Sequence, residues 1–294
     1  MLSREAYASR AKVFAPLFIK SGRGPGQGPG GSRAAPWRGS GWNPDGSGAE
    51  PWRGPGRRPG DMFYDDFRCA GAGSVLHWRR QTAPAMKGGP AVHIPGCLTT
   101  ELEIQPFEAA LAAAQAPSPD YDASRWLYVP NTYREYRYIL ATRGERPLIC
   151  VGVNPSTAAP GALDPTLQSV ERVARGNGYD SFIMFNVYAQ RATRPKDMER
   201  EMNEALHREN MAAFAWALGQ SAEPAVWCAW GTVIEQRPYL ARCVRDMVDI
   251  GRRYGARWFT AGARSKKGHP HHPLYLRSDS TLDPFDAASY AAGL

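Results

Sequence analysis

Four apolar runs of strand length recur in the C-terminal half of this chain, and each breaks off into small, polar or turn-forming residues. The first covers 148–154 and ends at Asn154, followed by Pro155, Ser156 and Thr157. The second, 181–188, carries Asn186 near its end, and the third, 224–231, ends in Trp230 and Gly231. A shorter fourth covers 256–260. Runs apolar on both faces belong to strands buried on both sides of a parallel sheet. Between them lie segments with apolar residues at helical spacing, predicted over 165–175, 197–218 and 234–250. Strands alternating with helices predict a three-layer α/β/α domain from about residue 125 to the end. Its central sheet is expected to be mainly parallel and four-stranded.

In such a sheet, ligands bind where the strands deliver their carboxyl ends. The break at 152–157 has that character. Gly152 lets the backbone approach a ligand, Pro155 ends the strand, and Asn154 is left at the tip with a donor and an acceptor. An ordinary turn uses the same residue types, so this segment alone decides nothing. Asp164, before Pro165 and Thr166, is either a carboxylate facing the crevice or the N-cap of the next helix, and Asp-Pro-Thr favours the cap.

The N-terminal part is a different kind of chain. Residues 21–60 contain 13 Gly and 7 Pro, and a Pro-Trp-Arg-Gly unit at 36–39 recurs at 51–54. Without apolar periodicity this stretch cannot offset its chain entropy, so 1–60 is expected to be a disordered tail, or sequence ahead of a start at Met62. Residues 61–124 are expected to form an N-terminal elaboration with a helix around 101–114. The block 126–140, rich in Tyr, Arg and Leu, is expected to pack on the sheet, with 136–143 as an edge strand or capping hairpin.

Charge is read after the same partition. The chain has 36 Lys/Arg and 28 Asp/Glu, a net +8. Residues 1–61 hold 10 and 4 of these, leaving 26 against 24 for the rest, so bulk charge says little about the folded part. Six basic residues with no acid between Arg252 and Lys267 are either a phosphate-holding patch or a solvated surface, the commoner case. Five cysteines without CxxC spacing point to a reduced, cytoplasmic protein, and no run is apolar enough to span a membrane. There is no Walker loop and no GxGxxG following a strand, and no cofactor is expected. The cluster His269, His271 and His272 lies after the fourth strand, where a histidine serves as donor or acid–base group. Its alternatives are a metal site or a Pro-shaped loop, and no metal is expected, because no Asp, Glu or Cys stands at a ligand spacing.

The order of these motifs carries a resemblance. Residues 136–276 resemble a family of bacterial and phage proteins known only as a domain of unknown function. The shared motifs are Gly152-x-Asn154-Pro155-Ser156-Thr157, Asp164-Pro165-Thr166, Asn186-x-x-Ala189-x-Arg191-Ala192-Thr193, Trp230-Gly231 and His272-Pro273-Leu274-Tyr275. More distantly, the succession is similar to the uracil-DNA glycosylase superfamily. That resemblance implies a nucleobase-recognising hydrolase of an N-glycosidic bond, or a noncatalytic nucleotide- or nucleic-acid-binding module on the same scaffold. It implies that Asn154 handles water, Asn186 reads the base edge and His272 stabilises the leaving base. Asp164 lies outside that pattern and either replaces the missing Asp as general base or caps the helix. Gly152, Pro155, Ser156, Asn186, Tyr188, Arg191, Trp230 and Tyr275 would line the site; Tyr188 is either a stacking ring or a half-buried loop residue, and Arg191 and Arg194 are either phosphate contacts or plain surface charges. The chain departs from that superfamily in carrying Asn at 154 where Asp activates water, and Leu274-Tyr275-Leu276 after His272-Pro273. The expected partner is nucleic acid or a nucleotide, with no membrane, and a third reading gives the N-terminal tail a protein partner in a phage or defence system.

Overall fold

The structure, a computed structural model, describes residues 92–277 and 279–294, which fall within the compact unit Thr82–Leu294. The expectations for the tail at 1–60, and for 61–91, lie outside the described residues. At the centre of the unit are four parallel strands, β3 (Pro147–Gly152), β4 (Ser181–Asn186), β5 (Ala225–Cys228) and β6 (Arg257–Ala261), side by side in the order β4-β3-β5-β6. These are the four apolar runs. Residues at successive positions point to opposite faces, and both faces are buried: Leu148 and Cys150 belong to one core, Ile149 and Val151 to the other.

The expectation of a mainly parallel four-stranded sheet is corrected by three further strands. β1 (Trp126–Val129) and β2 (Ile139–Thr142) pair antiparallel, and β2 continues antiparallel onto β4. At the other side β7 (Leu282–Pro284) pairs antiparallel with β6. The sheet is therefore seven-stranded and mixed, in the order β1-β2-β4-β3-β5-β6-β7. The physical reason is that β4 and β6 each end the parallel block with a row of backbone donors and acceptors. The added strands take up those groups. The segment 136–143, expected as an edge strand or a capping hairpin, holds only β2, an inner strand whose hairpin partner is β1.

Helices cover both faces. α1 (Phe107–Ala114), α3 (Glu204–Leu218) and α4 (Tyr239–Arg253) bury Phe107, Phe214, Leu240 and Val244 against the Ile149 face. α2 (Pro165–Gly176) buries Leu167, Val170 and Val173 against the Cys150 face, and α5 (Ala287–Ala292) ends the chain. Two helices start later than their periodicity suggests. α3 begins after Asn203, whose side chain accepts from the Ala205 and Leu206 amides, so Met198 and Met202 precede it. α4 begins after Pro238, and Gly231–Gln236 forms a 3-10 turn in place of its expected first turn. Among the described residues no helix is long and apolar enough to cross a membrane.

Candidate functional site at the strand ends

The carboxyl ends of β3 and β4 stay paired after the strands stop. The amides of Val187, Tyr188 and Ala192 donate to the carbonyls of Gly152, Val153 and Pro155 at 2.8, 2.9 and 2.9 Å. This holds 186–192 alongside 152–155 and places the two asparagine motifs together. Asn186 is 1 % exposed, and among the described residues neither Oδ1 nor Nδ2 has a hydrogen-bond partner. A Cβ on Gly152 would lie 3.0 Å from that Oδ1 and 2.8 Å from Met184 Cε, so glycine is what leaves the amide its space. A buried amide without partners costs free energy, so this one calls for an explanation by what it binds.

Asn154 is half-buried. Its Nδ2 donates to the carbonyls of Ala192 at 2.7 Å and Pro155 at 3.0 Å. Tying down the nitrogen fixes the amide plane and leaves Oδ1 as the group able to accept from a ligand or a water. Asp164 is the N-cap of α2, accepting from the Leu167 amide at 2.9 Å. Its charge also acts on His272 and on Arg137, which brings the first loop, the His loop and the β2 approach into one electrostatic neighbourhood.

The His loop is pinned to α2 from two sides. Ser169 Oγ donates to the Pro273 carbonyl at 2.7 Å and Arg172 Nη2 to the Leu276 carbonyl at 3.0 Å. Gly231, at φ +61°, turns beneath it, and a Cβ there would lie 3.5 Å from the His272 Cβ. The Leu274 amide donates to His272 Nδ1 at 3.2 Å, which assigns the neutral ring's proton to Nε2. Partial burial, with His271 adding to it and Asp164 opposing it, holds the His272 pKa below its usual value. His272 is therefore a neutral donor near neutral pH. His269 is buried elsewhere, between Tyr290 at 2.8 Å and Glu235 at 3.1 Å. Among the described residues no group of three or more His, Cys, Asp or Glu is placed to hold a metal ion.

Several expected contact residues turn out to be internal. Tyr188 is fully buried, its ring packed at a tilt against Tyr239, and its hydroxyl donates to Glu199 while accepting from the Asn203 amide at 2.9 Å. It braces the loop after β4 and does not offer a stacking face. Trp230 is 1 % exposed with Nε1 donating to the Tyr290 hydroxyl at 3.0 Å, which again makes it a support. Tyr275 is the reverse case, 90 % exposed with its backbone in the left-handed region at φ +69°. Ser156 is half-buried and its hydroxyl donates to Thr193 Oγ1 at 3.1 Å, while Pro155 is buried.

Arg191 is not a surface charge. It is fully buried, donating to the Ser156 carbonyl and to the Tyr128 hydroxyl, with Tyr133 over its guanidinium at 4.2 Å. Arg194 is on the surface, paired with Asp197 at 2.8 Å. The basic run from the last turn of α4 onward is surface too, with Arg252, Arg257 and Lys267 paired to Asp249, Glu223 and Glu235. The residue that sequence reasoning missed is Arg137. It is 1 % exposed and donates to the Ala158 carbonyl at 2.9 Å. The available signal was a charge inside the buried block Tyr136-Arg137-Tyr138-Ile139, where an unpaired arginine is costly.

No curated protein and no solved structure gives a match to the chain. Residues 137–274, which run from the buried Arg137 through both asparagine motifs to the His loop, match the model of a family described as protein of unknown function (DUF1643).

Proposed function

We propose that the strand ends form a nucleobase-binding site at which an N-glycosidic bond is hydrolysed. The observation that carries this reading is the buried, unpartnered amide of Asn186 beside Gly152. An amide presents a paired donor and acceptor that match a base edge, and a base entering such a pocket would satisfy both atoms. His272 supplies an Nε2–H where negative charge would collect on the base as the C–N bond breaks and its electron pair leaves with the base. Asn154 Oδ1 would orient the water that adds to the anomeric carbon. The Asp164 carboxylate, whose charge reaches His272, would accept the proton. Tyr275, exposed at the tip of the same pinned loop, offers a ring for stacking on a neighbouring base.

A second reading, a noncatalytic nucleotide- or nucleic-acid-binding module, is favoured by one observation. Asn154 cannot take a proton, and the one carboxylate in the first loop is engaged in capping α2. A single experiment separates the two. Release of free base is followed over uracil, mismatched, deaminated and hypermodified bases, in duplex, single-stranded and free-nucleoside form, with Asn186→Leu, Asn154→Ala and His272→Ala alongside. Hydrolysis predicts release that collapses in all three variants, with binding retained in Asn154→Ala and His272→Ala. Binding that depends on Asn186 without release from any substrate would leave the module reading.

A further inference from the structure

The structure holds a second feature that the base-binding reading does not use. Just beyond β4 the chain pairs with the approach to β2: the Arg137 amide donates to the Ala189 carbonyl at 2.9 Å, the Arg191 amide to the Glu135 carbonyl at 2.8 Å, and Tyr136 bridges Gln190. Side chains alternate across such a pair, so Arg137 and Arg191 fall on one face and Tyr136 and Gln190 on the other. The arginines share the face beneath the 155–158 loop, whose Ser156 and Ala158 carbonyls they contact. Both are buried, at 1 % and 0 % exposure, and neither Nε atom has a hydrogen-bond partner among the described residues. Among the described residues the groups they touch are carbonyls, a tyrosine hydroxyl and the Tyr133 ring, none of them an anion.

Two like charges buried together are expensive, and Asp164, a carboxylate whose charge acts on Arg137, is engaged in capping α2. Burial, and after it the charge of Arg191, pulls the Arg137 pKa down to about 9, a direction that an anion bound between them would reverse. Paired guanidinium groups supply several directional donors, the arrangement suited to a phosphate with its three or more oxygens. The rim is polar. Thr193 Oγ1 accepts from the His93 amide at 2.7 Å and from Ser156 Oγ at 3.1 Å. The cover is thin: Tyr133, 38 % exposed, lies directly over Arg191, its hydroxyl 2.9 Å from His93 Nδ1.

We propose that Arg137 and Arg191 form the floor of a binding site for a phosphate group, with Ser156 and Thr193 at its rim and Tyr133 as its cover. This assignment stands on the arginine pair and not on Asn186 or His272. Together with the reading above, it would make the ligand a phosphorylated nucleoside or a nucleic-acid strand.

The test uses the full chain and three probes at constant ionic strength: inorganic phosphate, a nucleoside 5′-monophosphate and a short single-stranded oligonucleotide. The readouts are the melting temperature and the arginine Nε–Hε NMR resonances of the unsubstituted protein. The expected result is a saturable rise in melting temperature with matching shifts of two buried arginine signals. The apparent affinity should weaken by about tenfold or more in Arg191→Gln and Arg137→Gln, the loss of one good charge-assisted contact. The tightest of the three probes identifies the source of the phosphate. Arginine resonances that move with none of the probes overturn the proposal, and because this needs no variant, misfolding of the Gln proteins cannot mask it. Equal affinity in folded variants overturns it as well, and leaves the arginines as braces for the loop. Failure of base release would leave phosphate binding standing, and the converse also holds.

Discussion

Replacing Asn186 by leucine should make the protein more stable while abolishing the proposed nucleobase binding. Leucine keeps the branch at Cγ but carries no polar atoms. In the free protein the two amide atoms of Asn186 are buried without partners, and each such group costs about 1–3 kcal/mol. Relief of both is worth about 2–6 kcal/mol, from which the larger methyl groups subtract about 1–3 kcal/mol of overpacking. Gly152, which has no Cβ to meet them, keeps that second figure toward its lower end. The net expectation is a gain of about 1–5 kcal/mol, or at least a few degrees in melting temperature for a domain of about 200 residues. Urea unfolding with an unchanged slope would measure it, since a shifted midpoint at constant m reports stability alone. Nucleobase or nucleoside binding would be followed by calorimetry on the same samples, where it should disappear. A loss of more than about 1 kcal/mol on substitution would refute the reasoning, because it would mean that the amide is holding the fold together.

Other consequences are smaller or run the other way. Glu199→Ala should lose about 3 kcal/mol or more by urea unfolding, since the Thr99 amide and hydroxyl and the Tyr188 hydroxyl would all be left buried without an acceptor. Gly231→Ala should cost about 1–2 kcal/mol through its positive φ, because the new Cβ meets His272 only at ordinary contact distance. Thermal unfolding would show it, and a clash-sized loss would count against that geometry. His272 should titrate below 6.5 by NMR. A histidine that binds fewer protons folded than unfolded gives stability that is full above the usual pKa. That stability declines as pH falls below about 6.5 and levels off under the folded value. The effect is small for a ring this exposed, and His272→Ala should remove that part of the pH dependence.

The sequence made some of this legible and hid the rest for identifiable reasons. The four parallel strands announce themselves because each is apolar on both faces, and Asn186, Gly152 and His272 stand out because each interrupts such a run or follows it. The hairpin strands β1 and β2 are four residues each, too short for a period to show, and β7 has an aspartate and a proline among its three residues. Met198 and Met202 mimic a helical repeat, yet Pro195 starts a 3-10 turn and Asn203 is where capping is available. Arg137 was hidden in another way. Its burial depends on 189–191 pairing across from it, a contact between segments about 50 residues apart that no local window contains. Tyr188 and Trp230 read as ligand contacts because aromatic residues at strand ends often are, and their burial and their bonds to Glu199 and Tyr290 depend on segments that no local window contains.

The way the sheet ends has a consequence for self-association. Its outermost strands are β1, with four residues, and β7, with three, and both run antiparallel to their neighbours. A second chain laid along either margin would find only a few backbone groups to pair with. Strand-by-strand growth into larger sheets is therefore poorly templated by the described domain. A tendency to form aggregates under stress would have to begin with loss of these short margins and exposure of β4 or β6, the strands that have enough length and apolar character to recruit another copy.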